Sequence, residues 1–238
     1  MNWEVQITGD VADLKELSRC LTDNELHMEE LNDNFFLQSI RFDNLNTPEE
    51  ITSECTDLLS LLNGSARLAL GGKTPIEIAN ISRVRDDGVR IIFGTVSETT
   101  HAKVFLDLEI HIENGTVEVL HPAHKVPEWL KIGFFDAKVA KALRLYGISE
   151  YDWVSLYRLY EVIEEDIGGI IIITSREWAT KDSIKRFKHT ANSPSSTGDD
   201  SRHGKESTSP PVNPMELTEA RSLIELLLRN WLRFKSEN

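Results

Sequence analysis

The sequence predicts an α+β fold, in which an N-terminal antiparallel sheet with two helices is followed by a mainly α-helical domain. Three observations predict this class. Strand-like runs fill the first half of the chain, two dipeptides typical of tight hairpin turns interrupt them, and strand signals almost vanish after Pro127. We therefore place an α+β sheet domain over residues 1–125 and a helical domain over residues 126–238, with a flexible loop at about 192–214.

The N-terminal domain begins with an alternating strand over residues 3–7, after which Asp10 is predicted to cap a helix. Residues 35–42 predict a second strand. Thr47-Pro48-Glu49-Glu50 then predicts the start of a second helix, and Asn63-Gly64 predicts its end. Asp87-Gly88 and Asn114-Gly115 predict two successive hairpins of one antiparallel sheet, over residues 76–99 and 102–120.

The C-terminal domain is read as a series of helices. One runs from about Phe134 to Gly147, and the next begins at Asp152 and ends at Gly168. Residues 170–173 predict a short buried strand or a connector, and residues 180–191 a basic helix. The last helix runs from about residues 214–218 to 234 and carries a broad apolar stripe. Either a second copy of the chain or the preceding helices could cover this stripe, and we expect a homodimer through the C-terminal helices.

Composition narrows the function class. The 238 residues carry a formal net charge of −13, and no run approaches the roughly 18 apolar residues that cross a bilayer. The first residues do not resemble a signal peptide, and Cys20 and Cys55 are interpreted as free thiols in a reducing compartment. We therefore expect a cytoplasmic protein without membrane contact.

Charge is distributed unevenly along the chain. Residues 1–145 hold 14 basic and 24 acidic side chains, whereas residues 181–235 hold ten basic and seven acidic ones. The first part repels a polyanion, so RNA is expected only at the basic segment 181–205. The acidic N-terminal domain is instead a candidate surface for a protein partner.

Three motifs favour structural interpretations. Gly71-Gly72-Lys73-Thr74 resembles the end of a phosphate-binding loop, but Arg67 stands where that loop needs glycine, so a turn between strands is expected. His121 and His124 are two imidazoles without an adjacent third ligand, which favours a surface turn over a metal site. An acidic run at the end of a helix indicates either a solvated face or a site for a cation, and it comprises Glu161, Glu164, Glu165 and Asp166.

One constellation could carry chemistry. Arg186, Asn192, Arg202 and His203 lie across the end of the basic helix and the loop that follows it. Arginine suits phosphate oxygens, and histidine can move a proton to or from a ribose hydroxyl, so these residue types suffice for metal-free RNA cleavage. The same loop also fits a simple connector, in which Arg202 pairs with a neighbouring aspartate.

The order of these features resembles the bacterial HEPN superfamily, in particular members like the abortive-infection C-terminal domains. The matching residues are Asn192, His203 and Gly204, with Arg186 or Arg202 as the arginine, followed by a leucine-rich last helix. The resemblance covers residues 127–236 at most. It implies RNA cleavage in active members, and it equally implies inactive members that serve as interaction modules.

Two hypotheses follow. The first is an interaction or regulatory protein with a HEPN-like module. A role of this protein in stress or phage defence is expected. The alternative is a metal-independent RNA endonuclease, with His203 as general acid and base, Arg202 or Arg186 on the phosphate and Asn192 orienting the loop. Neither requires a cofactor or a metal ion.

Overall fold

The computed structural model describes residues 2–84, 90–93, 108–111, 117–148, 151–197, 201–202 and 211–238. It divides into two compact units, Met1–Leu130 and Lys131–Asn238. The first contains an antiparallel five-stranded sheet with helices, and the second is mainly helical. The predicted fold class is therefore confirmed. Among the described residues, no helix combines the length and apolar character needed to cross a bilayer.

Five antiparallel strands form the sheet of the N-terminal unit. In chain order they are β1 Asn2–Thr8, β2 His27–Leu31, β3 Asn34–Gln38, β4 Glu77–Val84 and β5 Arg90–Phe93. Across the sheet the order is β2-β3-β1-β4-β5. Val5 lies opposite Leu37 on one side and opposite Ile81 on the other, and all three side chains are buried. This apolar row is the centre of the core of the unit.

The strand predicted over residues 35–42 is shorter in the structure. Strand β3 is followed by a 3-10 turn, Ile40–Phe42, which the hydroxyl of Ser39 caps. Strand β2 was not predicted. Its connection to β3 is Asn32-Asp33, with φ angles of 51° and 60°, and two such residues form the tight turn that matches the twist of a hairpin.

Two helices accompany the sheet, α1 Val11–Cys20 and α2 Pro48–Leu70. Their predicted starts are confirmed. The carboxylate of Asp10 accepts hydrogen bonds from two backbone amides of α1, and Thr47 and Glu50 form a reciprocal capping box at the start of α2.

Helix α2 continues past its predicted end at Asn63-Gly64. The Asn63 side chain does not cap the helix. Its oxygen accepts from the backbone N–H of Ile76 at 2.7 Å, and its nitrogen donates to the backbone C=O of Ile76 at 3.0 Å. The helix ends instead at Gly71, whose φ of +67° gives a left-handed cap. Residues 71–74 therefore connect a helix to a strand, and the prediction of a turn between two strands is wrong.

The two predicted hairpins are described only in their strands. Strands β4 and β5 are antiparallel neighbours. Strands β6 Leu108–His111 and β7 Val117–Leu120 also form an antiparallel pair. The predicted turns at Asp87-Gly88 and Asn114-Gly115 lie outside the described residues. The prediction that both hairpins share one sheet is wrong for the described strands, because β6 and β7 form a separate sheet of two strands.

Seven further helices follow in the described part of the chain. They are α3 Val126–Phe135, α4 Ala137–Ile148, α5 Trp153–Ile167, α6 Ile170–Ser175, α7 Lys181–Ala191, α8 Pro194–Thr197 and α9 Leu217–Ser236. The predicted cap of α5 is confirmed, since Asp152 accepts from the backbone of Ser155 at 2.6 Å. The predicted end at Gly168 is also confirmed, with a φ of +91°.

Two predictions for this unit need correction. The single helix expected over residues 134–147 is divided at Asp136, whose carboxylate accepts from two amides in the first turn of α4. Residues 170–173 are not a buried strand or a connector but the first part of α6. Only Ile173 of this run is buried, and Ile171 is 76% exposed.

The apolar stripe of α9 is covered by the chain itself. Helix α9 packs against α5, and Leu223 is the half-buried member at the edge of the stripe. The fully or almost fully buried members are Ala220, Ile224, Leu227, Leu228, Trp231 and Leu232. A second copy is therefore not needed to cover the stripe, and the homodimer remains a prediction.

Candidate functional site

Four aromatic rings of α5 and α7 pack together in the helical unit. Trp153, Tyr157 and Tyr160 share one face of α5 because they are four and three positions apart. Each of their rings lies about 6 Å from the ring of Phe187 on α7, at centre distances of 6.2, 5.8 and 5.8 Å. All four side chains are buried. This packing fixes Tyr157 as a rigid surface at the edge of the core.

Arg202 lies on that surface. Its guanidinium carbon is 4.1 Å from the centre of the Tyr157 ring, and one of its nitrogens donates to the Glu161 carboxylate at 2.7 Å. The backbone N–H of Arg202 donates to the carbonyl of Ala191 at 3.0 Å. We call Tyr157, Glu161 and the Ala191 carbonyl the Arg202 site. It uses the planar face, the charge and the backbone of the arginine together.

Asn192 follows α7 and ends it. Its side-chain nitrogen donates to the carbonyl of Lys188 at 2.8 Å and lies 3.5 Å from the Tyr157 hydroxyl. The bond to Lys188 fixes the amide orientation, because the oxygen could not take the place of the nitrogen there. The Asn192 side-chain oxygen is buried without a hydrogen-bond partner in the described part of the chain.

Arg186 is held by the segment that leads into α9. It donates to the carbonyls of Asn213 and Pro214, each at 2.9 Å, and to both carboxylate oxygens of Glu219 at 3.1 and 2.8 Å. Four of the five guanidinium N–H groups are thus used. A backbone hydrogen bond from Glu216 and the bond from Arg186 lower the pKa of the Glu219 carboxyl, so this group is a carboxylate at neutral pH.

The structure brings together part of the predicted constellation. Asn192 and Arg202 both lie at Tyr157, whereas the partners of Arg186 are in the segment before α9 and in its first turn. His203 lies outside the described residues. The catalytic role of the four residues remains a prediction.

The acidic run of α5 faces other elements of its own unit. Glu161 holds Arg202, and Glu164 accepts from Lys188 at 3.3 Å and from the Tyr160 hydroxyl at 2.7 Å. Glu165 pairs with Lys138, and Asp166 accepts from the Trp231 indole at 2.9 Å and pairs with Lys235 at 2.7 Å. The cationic partners of this acidic run are thus side chains of the same chain. Their ion pairs connect α5 to α4, α7, α9 and the loop that carries Arg202.

Tyr157 is a member of the site that the sequence analysis did not name, and Glu161 was named only as part of the acidic run. Both residues belong to patterns with a simpler explanation, an apolar helical face and an acidic run. The available signal was their spacing, because a tyrosine four residues before a glutamate presents a ring and a carboxylate on the same side of a helix.

His121 and His124 form a turn in the N-terminal unit. The backbone N–H of His124 lies 3.0 Å from the His121 carbonyl, and the His124 ring nitrogen Nδ1 lies 2.7 Å from the same oxygen. The His121 ring lies 3.9 Å from a carboxylate oxygen of Glu16. Across the described ranges, no three His, Cys, Asp or Glu side chains are grouped as a metal site would require.

The two cysteines are free thiols. Burial raises the pKa of Cys55 to about 12, and burial together with the nearby Glu16 carboxylate raises the pKa of Cys20. Both therefore stay protonated at neutral pH, and a thiol in that state is a poor nucleophile.

An open cleft of about 430 Å³ in the N-terminal unit is lined by mostly polar groups. Several of these groups are bonded within the protein. The Trp3 indole donates to the Leu45 carbonyl at 2.8 Å, the Ser39 hydroxyl donates to the backbone of Glu25, and Gln38 donates to Glu4 at 3.1 Å. These three lining side chains are therefore engaged in hydrogen bonds within the unit.

Comparison of the chain with protein-family models, curated proteins and solved structures gives no match. The geometry of the described residues is therefore the basis for the function proposed below.

Proposed function

We propose that the chain is a cytoplasmic bacterial interaction or regulatory protein with a HEPN-like helical module, acting in stress or phage defence. The observation that carries the proposal is the pairing of both candidate arginines with carboxylates. Arg186 is bound by Glu219 and Arg202 by Glu161. An arginine that serves a phosphate in catalysis needs its donors directed at the substrate.

The two arginines differ in how strongly they are engaged. A phosphate that took Arg186 would replace a bidentate carboxylate and two carbonyls at once. Arg202 makes one ion pair, whose side chains are 30% and 44% exposed. Because exposed ion pairs contribute about 0–1 kcal/mol, Arg202 is the more easily exchanged of the two.

The acidic N-terminal unit is the proposed surface for a protein partner. Exposed acidic side chains lie at the start and middle of α2, where Glu49 and Asp57 face solvent, and on β2, where Glu29 does. A basic partner surface complements this charge, and such an association weakens as salt is added.

Self-association through the C-terminal helices is a separate proposal. With the stripe of α9 covered, the remaining apolar surface on this helix is centred on Leu226, which is 50% exposed. A homodimer through α9 would bury this side chain, so Leu226→Glu should weaken it. Light scattering at tens of micromolar tests the point, and a strict monomer contradicts the dimer.

The alternative function is a metal-independent RNA endonuclease. One observation favours it, because Asn192 and Arg202, two of the four predicted site residues, lie at the same tyrosine. In this alternative Arg202 would leave Glu161 to contact a phosphate, and His203 would carry the proton.

RNA binding separates the two functions. We expect the wild-type chain to bind a fluorescent single-stranded RNA only weakly at physiological salt. Glu161→Gln with Glu219→Gln removes the carboxylate charge that pairs with each arginine and should tighten RNA binding roughly tenfold. Glu165→Gln with Glu216→Gln removes the same charge elsewhere and serves as the control. Tight binding by the wild type, unchanged in the double variant, would contradict the proposal.

A further inference from the structure

We infer that the Arg202 site is a recognition site for an arginine of a partner protein, which Arg202 fills when the partner is absent. The inference rests on the proposed interaction function and names the chemistry of the partner. Tyr157 supplies a flat ring, Glu161 a carboxylate and Ala191 a backbone acceptor. Together they fit an arginine within a peptide chain, because one group of the site binds the backbone N–H of the arginine.

The site favours a guanidinium over an ammonium. A guanidinium is planar, so it lies on the ring face while its edge donates to a carboxylate beside the ring. The distances of 4.1 Å to the Tyr157 centre and 2.7 Å to Glu161 satisfy both conditions with one group. A lysine has a compact charge and cannot present a face and an edge at once.

Arg202 is an incomplete occupant. Three polar atoms in the same stretch of chain are buried without a hydrogen-bond partner among the described residues: Asn192 Oδ1, Ser196 Oγ and Ser201 Oγ. Each such atom has lost its hydrogen bonds to water without gaining one in the protein, which is unfavourable. The exposed ion pair and the stacked cation are individually weak contacts, so Arg202 gains little from occupying the site.

The packing of the helical unit does not depend on the contact between Arg202 and its site. The loop leaves α7 at Asn192 and returns beside the same helix, where Met215 N–H donates to Thr190 Oγ1 at 3.0 Å and Arg186 holds Asn213 and Pro214. Both ends of the loop are thus anchored without Arg202. An incoming arginine can replace it while the helices keep their packing.

The tether gives Arg202 an advantage that a partner must overcome. A side chain on a loop of this length has an effective concentration in the millimolar range. A partner that binds with its arginine alone cannot compete at cellular concentration, so it must add contacts outside the Arg202 site. Removing the Arg202 side chain should remove the competition.

The test uses the full chain and a peptide with the sequence of residues 197–207, labelled with fluorescein. We expect Arg202→Ala to bind this peptide at least tenfold more tightly than the wild type, as measured by fluorescence anisotropy. Binding should be lost in Arg202→Ala with Glu161→Gln and kept in Arg202→Ala with Glu165→Gln, the matched control. A peptide with lysine in place of arginine should bind at least several-fold more weakly.

Three results would overturn the inference. They are equal binding by wild type and Arg202→Ala, equal binding of the arginine and lysine peptides, and unchanged binding after loss of Glu161. The assay contains no RNA, so its failure is distinct from failure of the proposed function, which RNA binding and cleavage report.

A second measurement does not depend on Arg202→Ala being folded. Trypsin cleaves after arginine, and it must capture the Arg202 side chain that Glu161 holds. We expect Glu161→Gln to be cleaved after Arg202 several-fold faster than the wild type or Glu165→Gln. An unchanged rate would show that Arg202 does not occupy the site, and would overturn the inference.

Discussion

The guanidinium of Arg202 lies over the ring of Tyr157, with its central carbon 4.1 Å from the ring centre. This contact joins a residue of the loop to the aromatic core shared by α5 and α7. The ring also packs against Phe187, at 5.8 Å between ring centres, and its position therefore does not depend on the loop alone. The arginine that the sequence suggested for phosphate binding has a partner within its own chain.

Trp231→Phe should destabilise the helical unit. The Trp231 side chain is fully buried, and its indole N–H donates to Asp166 at 2.9 Å. Phenylalanine leaves a cavity and removes the hydrogen bond, so we expect a loss of about 2–3 kcal/mol in the free energy of unfolding by urea. Leu226 on the same helix is half exposed. Leu226→Ala should therefore change the free energy of unfolding by less than about 0.5 kcal/mol. Equal losses of stability in the two variants would contradict the burial of Trp231.

Asp136 should make the helical unit sensitive to acid. Burial alone raises the pKa of this carboxyl, but hydrogen bonds from Lys235 and from the amides of Val139 and Lys138 outweigh burial and lower it. A carboxyl with a lowered pKa stabilises the fold above its unfolded pKa, and that contribution is lost as pH falls through the folded value. We expect the thermal midpoint to decrease when the pH is lowered below about 4.

Asp136→Asn isolates this group, because asparagine keeps the helix cap and removes the charge. The midpoint of the wild type should exceed that of the variant at neutral pH, and the two should converge in acid. Glu165→Gln, which removes the partner of Lys138 in a largely exposed pair, should give a smaller difference throughout. A constant difference between wild type and Asp136→Asn would refute the charge contribution.

Arg186→Lys should not replace arginine. The four hydrogen bonds of Arg186 use the spread of a guanidinium, which lysine lacks. We expect Arg186→Lys and Arg186→Ala each to lower the free energy of unfolding by about 1–2 kcal/mol. Lys185→Ala, an exposed change on the same helix, should stay within about 0.5 kcal/mol. Full stability of Arg186→Lys would indicate that charge alone acts there.

Gly72→Ala should be more harmful than Gly71→Ala. A Cβ at Gly72 would lie 2.0 Å from a carboxylate oxygen of Asp13, whereas a Cβ at Gly71 meets no atom within 4 Å and is strained only by its φ of +67°. We expect losses of about 2–3 kcal/mol and about 1 kcal/mol, respectively. Thermal unfolding of both variants checks this order, and the reverse order contradicts it.

Local signals explain how much of the fold could be predicted. Caps such as Asp10, Thr47 and Asp152 act within one turn of the chain, so their effect is visible in the sequence. Asn63 looked like a helix end for the same reason, but its side chain is used by Ile76, thirteen positions away. A single sequence does not reveal such a tertiary partner.

The candidate site was predictable only in part. Arginine, asparagine and histidine are conspicuous by residue type, so Arg186, Asn192 and Arg202 could be named from the sequence. Their partners could not, because Glu161 and Glu219 are 41 and 33 positions from the arginines they bind. Charge alone does not determine which of the 39 acidic residues each arginine meets.

RNA cleavage is the most direct test of the claim that the helical unit acts through protein contacts. Wild type and His203→Ala should be incubated with a fluorogenic single-stranded RNA in the presence of a chelator, and their thermal midpoints compared. We expect equal, background rates of cleavage from both proteins. Cleavage by the wild type that His203→Ala loses, with the thermal midpoint unchanged, would contradict the account and establish the nuclease.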